Sequence, residues 1–432
     1  MVLSALVLSI GLSNIGNAQN IPAKDTLQAN LSLLVERAVT HHPSVQAKWA
    51  ELGGSRAGLE GAKWQYYPSL SVQTERSANQ SNQSIGAGST ILRLQQNLWT
   101  GGRIESGVKN AQFRQQSAEY ALHETRVTVA LRTIEAWQNL LTALGRQQAI
   151  HKLLSQLDRL NGMMTRRVEQ QISPAIDMQL LRARLAQAQS EHLTAKTAAE
   201  AARQKLVQWV GSDALSLLPP PNLTQADLQD VLPSLPTDME QQLEMAVIRS
   251  PSLLRYEADT STAREDIQLK QAEQWPNVYA RLDRQYTGNG ILGGKTADTT
   301  LYLGLQYTTG AGLALRSQIE AAQAKLQSLD SDRETLRRQI KESYDNEWRD
   351  YQATRTRIDY AQLVQSSNDA LFDSYTRLFV AGRRSWLELL NTLREQNAAD
   401  QALTDLLSQK QATHFRLRLY LGELPWQSAS RP

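Results

Sequence analysis

Two pairs of short segments in this chain alternate apolar and polar residues with a period of two. One pair begins after Pro68 and the other after Pro276, and a polar, glycine-containing stretch separates the segments within each pair. A period of two predicts β-strands that have one apolar and one polar face. The predicted hairpins span residues 68–99 and 276–308, with connecting loops at 79–89 and 288–299.

Each predicted hairpin is followed by a long stretch with helical periodicity. No proline occurs in residues 103–171 or 313–381, and apolar residues recur at spacings of three and four, as in Val127, Leu131 and Ile134. A helix of such length extends on the order of 100 Å. Periodicity that continues so far beyond about 25 residues is typical of a coiled coil. A second helix follows each long one, so the predicted helical hairpins span residues 103–210 and 312–421.

The chain contains a duplication. Pro43 and Pro68 recur as Pro251 and Pro276 with the same separation, and in each half a helix interrupted at the first proline precedes the hairpin. A run of three prolines lies between the halves, where proline at this density ends helices and forms an extended linker. The predicted units are a first repeat (26–212), a proline-rich linker (213–237), a second repeat (238–422) and a C-terminal tail (423–432).

The predicted strand lengths suit a membrane. Strands of about 9–11 residues cross a bilayer when they are tilted, and only closed barrels are tolerated there. Four strands cannot close a barrel, because the smallest bacterial barrels have eight, whereas three chains supply twelve. Aromatic residues at the strand ends are typical of an interfacial girdle; the alternative is a soluble hairpin packed on helices, with these aromatics as its core. The candidate girdle residues are Tyr67, Trp99, Tyr302 and Tyr307.

Composition narrows the class of protein. Of the 432 residues, 21% are charged and the mean hydropathy is −0.44, which excludes a bundle of transmembrane helices. Residues 1–18 have the apolar core and the small-residue end of a secretory signal peptide, so we expect an exported protein. The chain has no cysteine to carry a lipid anchor. Its 46 Lys and Arg residues balance 43 Asp and Glu residues, which gives no indication of nucleic-acid binding.

No catalytic machinery is evident in the sequence. The six histidines are scattered without a metal-ligand spacing, and neither a Gly-x-Ser-x-Gly motif nor a phosphate-binding loop occurs. We therefore predict a protein that is not an enzyme and has no catalytic residues, no metal and no cofactor. The energy for any transport must then come from a partner.

The two predicted helical hairpins turn at distinctive sequences, Val168–Asp177 and Phe379–Asn391, and the first strand pair exits through Asn97–Arg103. Together these segments resemble the TolC family of outer-membrane factors. The resemblance implies a mainly α fold with a small transmembrane β part: a homotrimeric, twelve-stranded β-barrel in the bacterial outer membrane, continued by a twelve-helix α-helical coiled-coil tunnel across the periplasm. It also implies docking onto a periplasmic adaptor and an inner-membrane pump.

The resemblance further implies a gate at the narrow periplasmic end of the tunnel. Glu388 and Asn391 match two acidic positions that form stacked rings in the family, so only the first ring keeps its charge here. Arg384 and Asp177 match an arginine and its acidic partner in the closing network. Phe379 replaces a tyrosine of the best-known pattern and, without a hydroxyl group, cannot make that hydrogen bond. The alternative is that Glu388 and Asp177 are ordinary solvated charges.

The same turns are expected to dock the adaptor. Glycine and the Ser-Pro pair allow tight reversals, and exposed Arg and Trp residues are common at binding hot spots. For the tryptophan, packing inside the coiled coil is the alternative. The predicted docking residues are Ser173, Pro174, Gly382, Arg383, Ser385 and Trp386.

Export of a protein is the favoured function. Both turns are especially similar to those of TolC-family members that serve type I secretion, including exporters of large adhesins, in which an ABC transporter supplies the energy. Many drug-efflux members carry a lipid-anchoring cysteine, which this chain lacks. The alternatives are the outer-membrane component of a proton-driven multidrug efflux pump and, from another class, a non-channel periplasmic coiled-coil scaffold.

Overall fold

The computed structural model describes residues 26–78, 85–229, 232–233, 235, 238–288, 294–308 and 314–428. The predicted signal peptide (1–18) lies outside the described residues, as do parts of both predicted hairpin loops. The described chain is mainly helical and contains one sheet of four strands.

The first repeat opens with two helices that are separated at a proline. Helix α1 (Thr26–His41) stops one residue before α2 (Pro43–Lys63), because the proline ring disfavours helical geometry at the preceding residue. His42 is accordingly extended, and its side chain accepts a hydrogen bond from the backbone N–H of Ser44. The elements that follow are β1 (Ser69–Ala78), β2 (Ile85–Trp99), α3 (Arg103–Glu169) and α4 (Ala175–Val210).

The proline-rich linker is less extended than the sequence predicts. A 3₁₀ turn at Ser212–Leu217 forms its start, and a short helix, α5 (Gln225–Leu228), lies within it. Leu223 and Leu228 are buried and belong to the main apolar core, which also contains residues of α1 and α3. The short helix begins after the run of three prolines, and burial of these leucines makes this segment a docked part of the fold.

The second repeat has the same order of elements as the first, which confirms the predicted duplication. The two long helices contain 67 residues each, which corresponds to about 100 Å at a rise of 1.5 Å per residue. A last short helix, α10, lies in the C-terminal tail. The elements are α6 (Met239–Ile248), α7 (Pro251–Ala272), β3 (Asn277–Gly288), β4 (Gly294–Gln306), α8 (Ala314–Val380), α9 (Trp386–Tyr420) and α10 (Pro425–Ser428).

The four strands form one antiparallel sheet in chain order. Both returning strands begin earlier than predicted, because Ala78 pairs with Ile85 and Gly288 pairs with Gly294. Backbone pairing, which needs no alternation of side chains, extends the strands into the predicted loops. Strands β1 and β4 are left at the two edges of the sheet.

The helices pack side by side in a fixed order. Towards the turns of the helical hairpins, α3 contacts α4 and α9, and α9 contacts α8, which gives the order α4–α3–α9–α8. Towards the sheet, α3 contacts α2 and α7, and α7 contacts α8, which gives the order α2–α3–α7–α8. The outer positions therefore belong to α4 or α2 on one side and to α8 on the other.

Three apolar clusters of the described residues hold the helices together. The largest joins α1, α3, α9 and the linker around Trp137, and the second lies at the turns and includes Phe379 and Trp386. The third joins α6, α8 and α9 around Tyr344. Burial of one such large apolar side chain contributes about 2–3 kcal/mol. Among the described residues, no helix combines the length and the apolar character needed to cross a membrane.

Candidate functional site

Both helical hairpins reverse through the same backbone motif. At the end of α3 the N–H of Ile172 donates to the carbonyl of Arg167 at 2.8 Å, and at the end of α8 the N–H of Arg383 donates to the carbonyl of Leu378 at 2.8 Å. These six-residue bonds define Schellman caps, which need a left-handed residue. Gly382 fills that position in the second turn with φ 72°, whereas Gln171 fills it in the first with φ 56°.

Glu388 and the N-cap residue Ser385 form a capping box at the start of α9. The Glu388 carboxylate accepts hydrogen bonds from the backbone N–H and the hydroxyl of Ser385, at 3.0 and 3.1 Å, while the Ser385 Oγ accepts from the Glu388 N–H. Arg384 adds a 3.1 Å ion pair. The Ser385 hydrogen bonds and the Arg384 charge lower the pKa of Glu388. The proposed gate carboxylate is thus an anchored anion, which differs from a freely solvated charge.

Asp177 occupies the equivalent position in the first return helix but lacks such a cap. The residue that precedes α4 is Pro174, which has neither a backbone N–H nor a hydroxyl group to offer. In the part of the chain that the structure describes, Asp177 forms no ion pair. The predicted partner, Arg384, instead bonds to Glu388 and lies 4.8 Å from the ring centroid of Tyr375. Within one chain, therefore, the closing pair Arg384–Asp177 is not formed.

Trp386 is not an exposed docking residue. It is 4% exposed and packs on Phe379, with the ring centroids 5.1 Å apart. Both side chains belong to the apolar cluster at the turns, so the alternative of packing inside the coiled coil is correct for this tryptophan. Phe379 likewise lies in the interior of the turn region. Apolar packing therefore replaces the hydrogen bond that a tyrosine at this position would make.

Arg167 joins the two turns, a role that its position in the sequence does not reveal. Its Nε donates to the hydroxyl of Ser173 at 3.1 Å, and its Nη1 donates to the carbonyl of Val380 at 3.4 Å. The guanidinium also lies 4.8 Å from the Phe379 ring centroid. Ser173, expected at the docking surface, is consequently buried. The contacts with Val380 and Phe379 join residues more than 200 positions apart, so no local sequence signal could have revealed them.

The remaining turn residues divide between the tip surface and a crevice. Gly382, Arg383, Ser385 and Pro174 are exposed, as a docking surface requires. Asn391 is half-buried and lines a crevice between α4 and α9. In the described ranges, no cluster of three His, Asp or Glu side chains is placed to hold a metal ion.

The sheet has one apolar and one polar face. Register pairs Leu70 with Leu94, Leu94 with Leu282, and Leu282 with Leu301, so one row of leucines crosses all four strands. These side chains are all exposed, and nothing in the described chain covers them. On the opposite face Arg93 and Asp283 form a 3.0 Å ion pair. The exposed apolar face fits contact with lipid.

Three of the four candidate girdle residues lie near the helix-proximal end of the sheet. Trp99 forms an edge contact with Trp275, and Tyr67 contacts Trp64, while Tyr307 directly follows β4. All three are about half exposed, so they do not form a soluble core within the chain. Tyr302 differs, because it pairs in register with Arg281 and lies under its guanidinium on the polar face. Tyr302 is therefore wrong as a lipid-facing girdle residue.

A family model described as outer membrane efflux protein matches residues 34–212 and 243–423, which cover most of both repeats. The chain belongs to the outer membrane efflux protein family. Members of this family are bacterial outer-membrane channels and not enzymes. The predicted family, fold and cellular location are thereby confirmed.

Known relatives of this efflux-family chain are distant in sequence and close in fold. It is 24% identical to Protein CyaE of Bordetella pertussis over 326 residues, which cover 71% of this chain and 66%, just under two thirds, of that protein. The outer membrane protein VceC of Vibrio cholerae superposes with a TM-score of 0.77 at 17% identity, covering 93% of this chain and 98% of VceC. The open-state MtrE outer membrane channel of Neisseria gonorrhoeae superposes with a TM-score of 0.76 at 14% identity, covering 96% of each chain.

Channels of the outer membrane efflux protein family form homotrimers and work with adaptors and inner-membrane transporters.

Proposed function

We propose that three copies of this chain join side by side into one duct that carries a protein across the outer membrane. A single copy has open sides in both its sheet and its helical layer, and this observation supports the proposal most directly. Its sheet ends on the unpaired edges of β1 and β4, and its helices end on α4 or α2 and on α8. An open edge of this kind exposes unpaired backbone groups, which a neighbouring copy would satisfy.

The outer surface of α8 supports the same assembly. Tyr360, Leu363, Val364 and Leu371 are exposed and recur at helical spacing, so they form a single apolar stripe. On the opposite outer helix, α4, Leu193 is 65% exposed. A contact of α8 with α4 of the next copy is head-to-tail, and such contacts close into rings when the rotation permits. Three copies would give twelve strands, the number predicted for the barrel.

In this assembly the polar face of the sheet lines the channel and the leucine row meets lipid. The helical hairpins continue the wall, and their turns form the periplasmic end. Glu388 recurs in each copy there and would supply a ring of three anchored negative charges. Asp177 lacks a partner within its own described chain, which leaves it available to an arginine of the neighbouring copy. These features support a gate that favours cations.

The cargo is inferred from the turns. Their sequences resemble those of members that serve type I secretion, so we assign the duct to an ABC transporter and a periplasmic adaptor that together export a large protein. Exposed Arg383, Ser385 and Pro174 are available to the adaptor. Small-molecule efflux with a proton-driven pump is the competing function, and a non-channel scaffold is the competing class.

The duct and its gate are tested by single-channel conductance of the detergent-extracted trimer in a planar bilayer. Glu388→Gln removes the charge but keeps a residue that can complete the cap, whereas Glu388→Ala removes both. We expect cation-selective openings in the wild type and reduced selectivity in both variants. Unchanged selectivity in Glu388→Gln would reject the gate charge, and a folded trimer that forms no pores would favour the scaffold.

The cargo is tested by deleting the gene and comparing the secreted proteins and the drug susceptibility of the strain. Loss of one large protein from the medium, restored by the wild-type gene, is the expected result. Increased susceptibility to several drugs with an unchanged set of secreted proteins would instead assign the channel to an efflux pump.

A further inference from the structure

Arg284 is a charged residue on the face of the sheet that carries the leucine row. It pairs across the sheet with Leu92 on one side and Thr299 on the other, and it is exposed. Of the side chains that the structure describes on this face, no other is charged. Two residues earlier, Leu282 belongs to the leucine row itself.

The neighbouring carboxylates cannot neutralise Arg284, because they lie on the other face. Asp283 pairs with Arg93, and Asp298 pairs with Gln285, so both point with the polar residues. Arg281 also forms an ion pair with Asp283 on the polar face. No ion pair of Arg284 occurs within the described ranges. Its guanidinium lies instead 5.5 Å from the ring centroid of Tyr286.

The position of Arg284 along β3 gives its depth in the proposed barrel, and its contact with Tyr286 gives the direction of its side chain. From Val278, near the aromatic end of the sheet, to Arg284 is about 20 Å along the strand, or about 15 Å along the normal of a barrel with strands tilted by about 40°. That is beyond the middle of an apolar band about 25 Å tall. Because Tyr286 lies further towards the hairpin loops, the side chain of Arg284 extends towards the outer surface, as a snorkelling arginine does.

We propose that Arg284, Tyr286 and Thr299 form a binding site for the phosphate group of an outer-leaflet lipid, with one site in each chain. The guanidinium presents paired N–H donors that match a phosphate, and the tyrosine and threonine hydroxyls lie on the same face as further donors. A cation that faces hydrocarbon without a partner is strongly unfavourable, whereas a bound phosphate supplies the missing counter-charge. The site rests on the proposed barrel, in which the leucine face meets lipid.

The test uses the purified full-length trimer and two matched lipids, diphosphoryl and monophosphoryl lipid A, titrated in detergent and counted by native mass spectrometry. We expect preferential retention of the diphosphoryl form, up to three molecules per trimer. Arg284→Gln should weaken its binding about fivefold per site, the effect of one arginine near a charged lipid surface, while Arg284→Lys should retain more of it. The control, Arg281→Gln, alters the same strand on the polar face and should leave lipid binding unchanged.

Pore formation by the same preparations separates this proposal from that of the duct. Pores in Arg284→Gln, together with weakened binding of lipid A, support the lipid site. Pores in the wild type together with equal binding of lipid A by wild type and Arg284→Gln would overturn the site and leave the duct intact. Equal retention of phosphatidylcholine, which has no net charge, would also overturn it. A wild-type trimer that forms no pores would reject the duct itself.

Discussion

Arg167, near the end of the first long helix, donates a hydrogen bond to the carbonyl oxygen of Val380, the last residue of the second long helix, at 3.4 Å. The last carbonyls of a helix have no partner within it and carry partial negative charge. A cation from the first hairpin therefore caps the second hairpin. This bond, the Ser173 contact and the packing on Phe379 hold the two turns of one chain together.

Replacing Arg167 should loosen both turns at once. Arg167→Ala removes two charge-assisted hydrogen bonds and a cation–π contact, and we expect a loss of about 1–3 kcal/mol of local stability. Hydrogen exchange should then become faster in both turns, residues 168–175 and 380–386, by at least about fivefold. Arg166→Ala is the matched control, because Arg166 is exposed. Faster exchange confined to the first turn would contradict the clamp.

The left-handed residues of the two turns give opposite predictions. Gln171 pays a steric cost at φ 56° that glycine avoids, so Gln171→Gly should stabilise the first turn by about 1 kcal/mol. Gly382→Ala should destabilise the second by about the same amount. A Cβ at Gly382 would meet no atom within 4 Å, so only the backbone term changes. Thermal unfolding should show a higher melting temperature for Gln171→Gly and a lower one for Gly382→Ala. Shifts of both melting temperatures in the same direction would contradict the prediction.

The cap at Glu388 should make the second turn sensitive to acid. The Ser385 hydrogen bonds, with Arg384, lower the pKa of Glu388 below its usual value of 4.5. A carboxylate whose pKa is lowered by folding stabilises the fold above its unfolded pKa and loses that contribution as the pH falls through its folded pKa. The protection factors of residues 380–390, which correct observed exchange for the intrinsic rate at each pH, should therefore fall below about pH 4.5. In Glu388→Gln this fall should be absent, and its persistence there would assign it to another group.

The sequence predicts the elements of this fold well because their signals are local. Pro43 and Pro251 mark the helix breaks, because each proline ring disfavours helical geometry at the residue that precedes it. Successive side chains of a strand point to opposite faces, so a strand with Leu301 on the apolar face has Tyr302 on the polar face. The wrong assignment of Tyr302 to the girdle could therefore have been avoided from the sequence alone. The burial of Trp386 depends on its packing against Phe379 of the preceding helix. Trp386 is the first residue of its helix, so the amphipathic pattern there is too short to predict which side chains are buried.

His414 predicts a second acid transition at higher pH. It is completely buried, and burial lowers its pKa to about 4, although Nε2 bonds to the carbonyl of Pro233 at 2.9 Å. A histidine with a lowered pKa stabilises the neutral-pH fold and loses that contribution as the pH falls from about 6.5 towards 4. The full effect is on the order of 3 kcal/mol. Nearby Lys410 and Arg418 also disfavour its protonation.

The measurement for His414 is the pH dependence of unfolding between pH 7 and 4. His414→Gln cannot titrate, so its stability should change less than that of the wild type in this window. His41→Gln is the control, because His41 is an exposed histidine. A wild-type stability that stays constant down to pH 4 would contradict the prediction.

An ion pair with a buried carboxylate joins the first repeat to the second. Lys152 of α3 lies 2.9 Å from Asp400 of α9, whose side chain is 5% exposed. Gln365 of α8 donates to the same carboxylate at 2.6 Å, and Gln225 of the linker helix donates to the Asp400 carbonyl at 2.9 Å. Four elements therefore meet at one acidic residue.

This arrangement predicts strong coupling between Lys152 and Asp400. Lys152→Met leaves a buried carboxylate without its cation, which costs up to about 3–5 kcal/mol for fully buried pairs; because Lys152 is partly exposed, we expect about 2 kcal/mol. Adding Asp400→Leu should restore much of this loss, because an apolar pair needs no counter-charge. A double-mutant cycle by chemical denaturation measures the coupling. If the two losses simply add, the pair does not join the repeats, and the linker packing around Leu223 and Leu228 carries that role instead.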